Sequence, residues 1–141
     1  MKAEKLDRVL VAVKDLEASA KFFSDLLGVT FDEVHEDPSQ NVKYIRTPLG
    51  FELIQSTSPD GAVAKFIEKR GEGLYGVIFK TSDIQSAIRE LEAKGLTCVG
   101  NPVTGGLEEA YFHPRDTHGV MIVLCDYDEM HGATMAEIRG K

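Results

Sequence analysis

Tryptophan is absent from this chain of 141 residues, and cysteine occurs only twice, at Cys98 and Cys125. The two cysteines sit in separate strand-like runs without CxxC spacing, which excludes a disulfide framework and a CxxC-based zinc site. They read as small core residues, as suits a reducing compartment. Positive charge is in deficit, with 16 basic against 23 acidic residues and a net charge of −7. Binding to a nucleic-acid backbone depends on basic clusters, so nucleic acid is not an expected partner. No run approaches the roughly 20 apolar residues of a membrane span, so no membrane association is expected. The opening MKAEKLDRVLVAV runs directly into a strand pattern without a signal-peptide cleavage pattern, and a cytoplasmic location is the expectation. Histidine is scarce too: none of His35, His113, His118 and His131 is paired at the i, i+4 spacing of a zinc-binding helix.

What is present is a repeated plan. In GEGLYGVIFKTSDIQSAIRELEAKG the β-favouring residues Leu74, Val77, Ile78 and Phe79 are followed by a capping Ser82 or Asp83. Ile84, Ala87, Ile88 and Leu91 then fall on one helical face, and Gly95 closes the helix. LDRVLVAVKDLEASAKFFSDLLG, Leu6 to Gly28, follows the same plan. Taking Asp15 and Asp83 as equivalent sets an offset of 68 residues (83 − 15), which pairs Arg8 with Gly76 and Leu16 with Ile84.

In chain order the pattern predicts a strand over Leu6–Val13, then a helix capped by Asp15 with a buried stripe of Leu16, Ala20, Phe23, Leu26 and Leu27. Strands are expected over Val29–His35, Val42–Thr47 and Phe51–Gln55, with the turn-rich EDPSQN between the first two. A linker and a short helix over Ala62–Arg70 follow. The second half predicts a strand over Leu74–Lys80, a helix over Asp83–Lys94, and strands near Leu96–Val99, Glu109–His113 and Val120–Cys125. GEG and TGG lack the strand-before, helix-after context of a phosphate loop and read as turns. A loose helix is expected around Thr134–Arg139. The fold class is α+β: two tandem βαβββ modules, residues 5–56 and 72–126, joined by a linker at 57–71 and forming one domain over 5–126 with a shared cleft. Residues 127–141 are a C-terminal tail. Clefts of this kind favour ligand sites.

The blocks LDRVLVAVKDLEASAKFFSDLLG, SPDGAVAKFIEKRGEGLYGVIFKTSDIQSAIRELEAKG and FHPRDTHGVMIVL carry a resemblance. The chain resembles the vicinal oxygen chelate superfamily, which includes glyoxalase I, extradiol dioxygenases and bleomycin-resistance proteins, and is most similar to its methylmalonyl-CoA epimerase branch. The resemblance implies a divalent metal held by His or Gln and Glu, two ligands from each repeat, that stabilises an enolate-like oxygen while carboxylates move a proton. Here the departures matter. The first ligand position holds Arg8 in DRVLVAV, the second-repeat position holds Gly76 in Tyr75-Gly76-Val77, and the last holds Val123 in GVMIVL. Glu52 in FELI alone retains a metal-compatible group, and Ser39 replaces the acidic residue of a PEQGV-like turn. No metal and no cofactor are therefore expected.

Arg8 is costly on a mid-strand position unless partnered. Two readings stay open: an Arg8–Glu52 ion pair that plugs the old metal position, or a planar contact from Arg8 to a ligand carboxylate, carbonyl or phosphate, with Glu52 as base or orienting group. Tyr75 reads as packing against a neighbouring strand, although its hydroxyl is also placed to face the cleft. The candidate ligand-binding set is Arg8, Glu52, Tyr75, Gly76, His113 and Val123, with Glu52 the catalytic candidate. Three functions are compatible: a metal-free protein binding a small carbonyl, carboxylate or aromatic ligand; an epimerase, isomerase or lyase on an acyl-CoA-like substrate, with Arg8 in place of the metal or with an unrecognised metal site; and a scaffold whose cleft is filled by its own side chains. A small-molecule ligand and a second copy of the chain, as a homodimer, are the expected partners.

Overall fold

The computed structural model describes residues 1–104 and 106–127. The helix expected around Thr134–Arg139 lies outside the described residues. Strand β1, Lys5–Ala12, leads into helix α1, Leu16–Leu27. The chain continues through β2 (His35–Asp37), β3 (Val42–Arg46), β4 (Phe51–Ser56) and α2 (Ala62–Arg70). Then come β5 (Gly73–Lys80), α3 (Ile84–Ala93), β6 (Cys98–Gly100), β7 (Val103–Thr104), β8 (Leu107–Phe112), a single 3-10 turn at Pro114–Asp116 and β9 (Met121–Tyr127). No helix among the described residues is long and apolar enough to cross a membrane. The architecture is α+β.

Two compact units divide the described chain, one of Val9–Tyr75 and the other of residues 1–8 with 76–127. These lines differ from the sequence repeats at β1. Its first half joins the later unit, where the Glu4 N–H donates to the Lys80 carbonyl at 2.8 Å.

In the Val9–Tyr75 unit the strand order is β2-β3-β4-β1. The second half of β1 runs parallel to β4, with Leu10 opposite Glu52. β3 is antiparallel to β4, with Arg46 opposite Glu52, and β2 is antiparallel to β3, with His35 opposite Tyr44. α1 covers one face, where Val13, Leu16, Ile45 and Leu53 form a core with Phe23, Phe31 and Phe51 packed against it. Asp15 caps α1 through a 3.1 Å bond from the Ala18 N–H, and Gly28 ends it at φ 65°. A left-handed residue is needed there to close the last turn, and glycine adopts it without a Cβ clash.

In the other unit β5 and β9 are parallel, β8 is antiparallel to β9, and β6 and β7 pair with β8. α3 contributes Ile84 and Ala87 to a core with Ala110, Phe112 and Leu124. Asp83 caps it, accepting from the Ser86 N–H at 3.1 Å as Asp15 does at the equivalent position. Each repeat thus carries the same strand-cap-helix device and the same parallel pairing of its first and last strands.

Three local expectations are corrected. The strand expected over Val29–His35 is instead His35–Asp37, because Asp32 folds its side chain back to accept the Arg46 N–H at 2.7 Å, a bond a strand partner's carbonyl would otherwise take. The stripe on α1 ends early: Leu26 and Leu27 are 62% and 52% exposed, since nothing among the described residues covers the last turn. The stretch TGGLEE, whose pattern predicts a loop before the strand at Glu109–His113, instead begins with Thr104 of β7 and ends with Leu107–Glu109 of β8, and these strands pair.

Candidate functional site

Arg8 lies in the unit of residues 1–8 and 76–127, fully engaged. Its Nε donates to Asp7 Oδ2 at 2.9 Å and its Nη2 to Glu109 Oε2 at 3.0 Å. The guanidinium and the Asp7 carboxylate are almost completely buried, with side-chain exposures of 4% and 1%. Glu109 accepts a second bond from Tyr111 Oη at 3.1 Å, and Asp7 one from Tyr127 Oη at 3.0 Å. Buried charges persist only when paired and hydrogen-bonded, and this cluster meets that demand within one unit. Asp7 and Glu109 were not singled out in the sequence. The cost of an unpartnered mid-strand arginine calls for carboxylates, but sequence distance hides Glu109, 101 residues away.

Beside this cluster the Cys125 thiol is fully buried, and burial, with the Asp7 carboxylate adding to it, pushes its pKa up to about 12; the Arg8 cation offsets part of the rise. Val123 is fully buried in register with Ile78 on β5 and Tyr111 on β8. Gly76 faces Met121: a Cβ there would lie 2.9 Å from Met121 Cε and 3.2 Å from its carbonyl oxygen. His113 spends its Nδ1 accepting the Arg115 N–H at 3.1 Å, which caps the 3-10 turn. His118 stands at a left-handed φ of 57° in the same loop.

Glu52 and Tyr75 belong to the Val9–Tyr75 unit. Tyr75 packs its ring edge-on to Phe66, centroids 5.0 Å apart, and burial raises its hydroxyl pKa. Glu52 is 5% exposed on the sheet face away from α1, between Leu10 on β1 and Arg46 on β3. The same face continues through Tyr44 to His35. Arg46 is tied to Asp32 by its backbone N–H and by its Nε, the latter at 3.2 Å to Asp32 Oδ2. His35 Nε2 is 2.9 Å from Asp32 Oδ2, and its ring stacks on Tyr44 at 5.2 Å. Five titratable groups, Glu52, Arg46, Asp32, His35 and Tyr44, thus gather about the face that carries Glu52. Sequence reading named Glu52 and missed Asp32 and Arg46, which lie in a segment expected to be an ordinary strand pair.

The donor set at the positions the family uses for metal does not fit a divalent ion. A buried guanidinium, a glycine and a buried valine offer no lone pair, and Glu52 supplies one carboxylate where three or four ligands are usual. Among the described residues no group of three or more His, Cys, Asp or Glu side chains is arranged to hold a metal.

A family model described as the Glyoxalase/Bleomycin resistance protein/Dioxygenase superfamily matches residues 5–124. An uncharacterized protein of Bacillus subtilis is 28% identical over 128 residues, 86% of this chain and 91% of its own. Mitochondrial methylmalonyl-CoA epimerase of Mus musculus is 28% identical over 130 residues, covering 87% of this chain and 73% of that protein. Among solved structures, a point variant of Streptomyces coelicolor methylmalonyl-CoA epimerase, in complex with 2-nitronate-propionyl-CoA, has a TM-score of 0.79 at 26% identity, covering 88% of this chain and 97% of that one. The chain belongs to the Glyoxalase/Bleomycin resistance protein/Dioxygenase superfamily, with the fold of its methylmalonyl-CoA epimerases.

Proposed function

We propose that this protein binds a small carbonyl, carboxylate or aromatic ligand without a metal. The observation that carries this reading is the fate of the family's ligand positions. Arg8 is clamped between Asp7 and Glu109, Gly76 and Val123 present no donor, and Glu52 alone retains its carboxylate. A permanent cation replaces the ion in this reading, and it polarises an oxygen less strongly than an open-site divalent metal. The ligand then depends on shape and on hydrogen bonds from the polar face around Glu52.

Methylmalonyl-CoA, propionyl-CoA and aromatic carboxylates titrated into chelator-treated protein test the reading by calorimetry. Saturable binding that weakens at least tenfold in Glu52→Gln supports it; no heat from any of these classes argues against it. The epimerase likeness favours a second reading, in which the chain acts as an epimerase, isomerase or lyase on an acyl-CoA-like substrate. Assembly as a homodimer is part of the proposal, supported by Phe22, Leu26 and Leu27, each more than half exposed on α1. Sedimentation of a monomer at micromolar concentration would remove it.

A further inference from the structure

We propose that His35 is a proton-accepting base on the Glu52-bearing face, held in a single tautomer by Asp32. The inference rests on the ligand-binding reading above and adds a residue that the family's ligand positions do not contain. Its basis is geometric. Asp32 Oδ2 lies 2.9 Å from His35 Nε2. A carboxylate only accepts, so Nε2 must carry the hydrogen and Nδ1 the lone pair. Asp32 is itself fixed, since its Oδ1 accepts the Arg46 N–H at 2.7 Å and its own N–H donates to the Arg46 carbonyl at 2.9 Å. Stacking on Tyr44, with planes 22° apart, fixes the remaining rotation of the ring. The imidazole is 26% exposed, and no buried side-chain nitrogen or oxygen lacks a partner. Nδ1, which bonds to no protein group among the described residues, is therefore open to solvent and to a ligand. Arg46 Nη2, 3.2 Å from Nε2, can only donate, so beside a protonated Nε2 it stands as a neighbouring positive charge. A carboxylate orienting a histidine that removes a proton is a recurrent acid–base arrangement.

The ligand class this serves is a carbon acid: a carbonyl compound with a hydrogen on the adjacent carbon. His35 Nδ1 takes that proton, the C–H bonding pair moves into an enolate, and the carbonyl oxygen takes the negative charge. The imidazolium then returns a proton to the same carbon. In D2O the histidine proton exchanges with solvent, so the carbon gains deuterium with no net reaction.

Two measurements test the assignment. In 1H–15N spectra, at a pH where the imidazole is neutral, the wild type is expected to show His35 with Nε2 protonated and Nδ1 bare. Asp32→Asn is expected to lose that preference while Tyr44 and the fold signals persist. A wild-type Nδ1–H tautomer, or an even mixture, overturns the proposal whatever the ligand. Deuterium incorporation at C2 of methylmalonyl-CoA, followed by mass spectrometry in chelator, is expected to exceed the buffer rate and to fall about 100-fold in His35→Gln. Exchange at the buffer rate, or an undiminished rate in His35→Gln, overturns it. Calorimetry on the same samples separates the failures. Binding without exchange removes only the base, whereas absence of binding as well removes the ligand reading beneath it.

Discussion

At the scale of single residues, the buried charge around Arg8 decides most. Removing one partner of a buried ion pair leaves the others uncompensated, at about 3–5 kcal/mol. Arg8→Met is therefore expected to lower the unfolding free energy by about 3 kcal/mol in urea, since the buried Asp7 carboxylate loses the guanidinium that donates to its Oδ2 at 2.9 Å. Glu109→Gln is expected to cost about 1 kcal/mol, because its 15% exposed side chain retains an acceptor for Arg8 or Tyr111. Equal losses in the two variants would show that the cluster is not anchored on Arg8. Cys125 makes a separate prediction. Its folded pKa of about 12 lies above the ordinary 9.0, so the folded state holds a proton that the unfolded state releases between those values. Stability from this group is complete below pH 9 and declines as pH rises toward 12. Cys125→Ala is expected to flatten that decline, and at pH 8 iodoacetamide is expected to label Cys98 and spare Cys125 in the native protein.

At the scale of elements, the two helix starts are matched devices with different costs. Asp15 sits at φ −134° and contributes only its cap, so Asp15→Ala is expected to cost about 1 kcal/mol. Asp83 also occupies a left-handed φ of 55°. Asp83→Ala loses, together with the cap, the short polar side chain that makes a left-handed backbone tolerable, for about 2 kcal/mol in all, whereas Asp83→Asn keeps both the acceptor and the tolerance. Urea unfolding of the three variants checks the order. These caps were legible because a short polar residue before a 3.6-residue stripe marks a helix start. α2 was read at its observed bounds for the related reason of periodicity and flanking glycines. β2 was not legible, because a side chain rather than a backbone carbonyl takes the Arg46 N–H, and no periodicity reports that. The same bond hid half of the site. The resemblance located Glu52 by strand position, but the Asp32–His35–Arg46 set arises from a fold-back within one loop and a register across two strands.

At the scale of the whole molecule, the proposed function means that this member of the superfamily has exchanged a metal for fixed side-chain charge. Restoring the ligands takes Arg8→His, Gly76→His and Val123→Glu, and the new Cβ at residue 76 requires Met121 Cε, 2.9 Å away, to swing aside and the Met121 carbonyl oxygen, 3.2 Å away, to give slightly. The most direct test is calorimetric titration of the chelator-stripped wild type with cobalt, nickel and zinc. No stoichiometric binding to any of the three is expected. One ion bound per chain, with binding lost in Glu52→Gln, would contradict the proposed function.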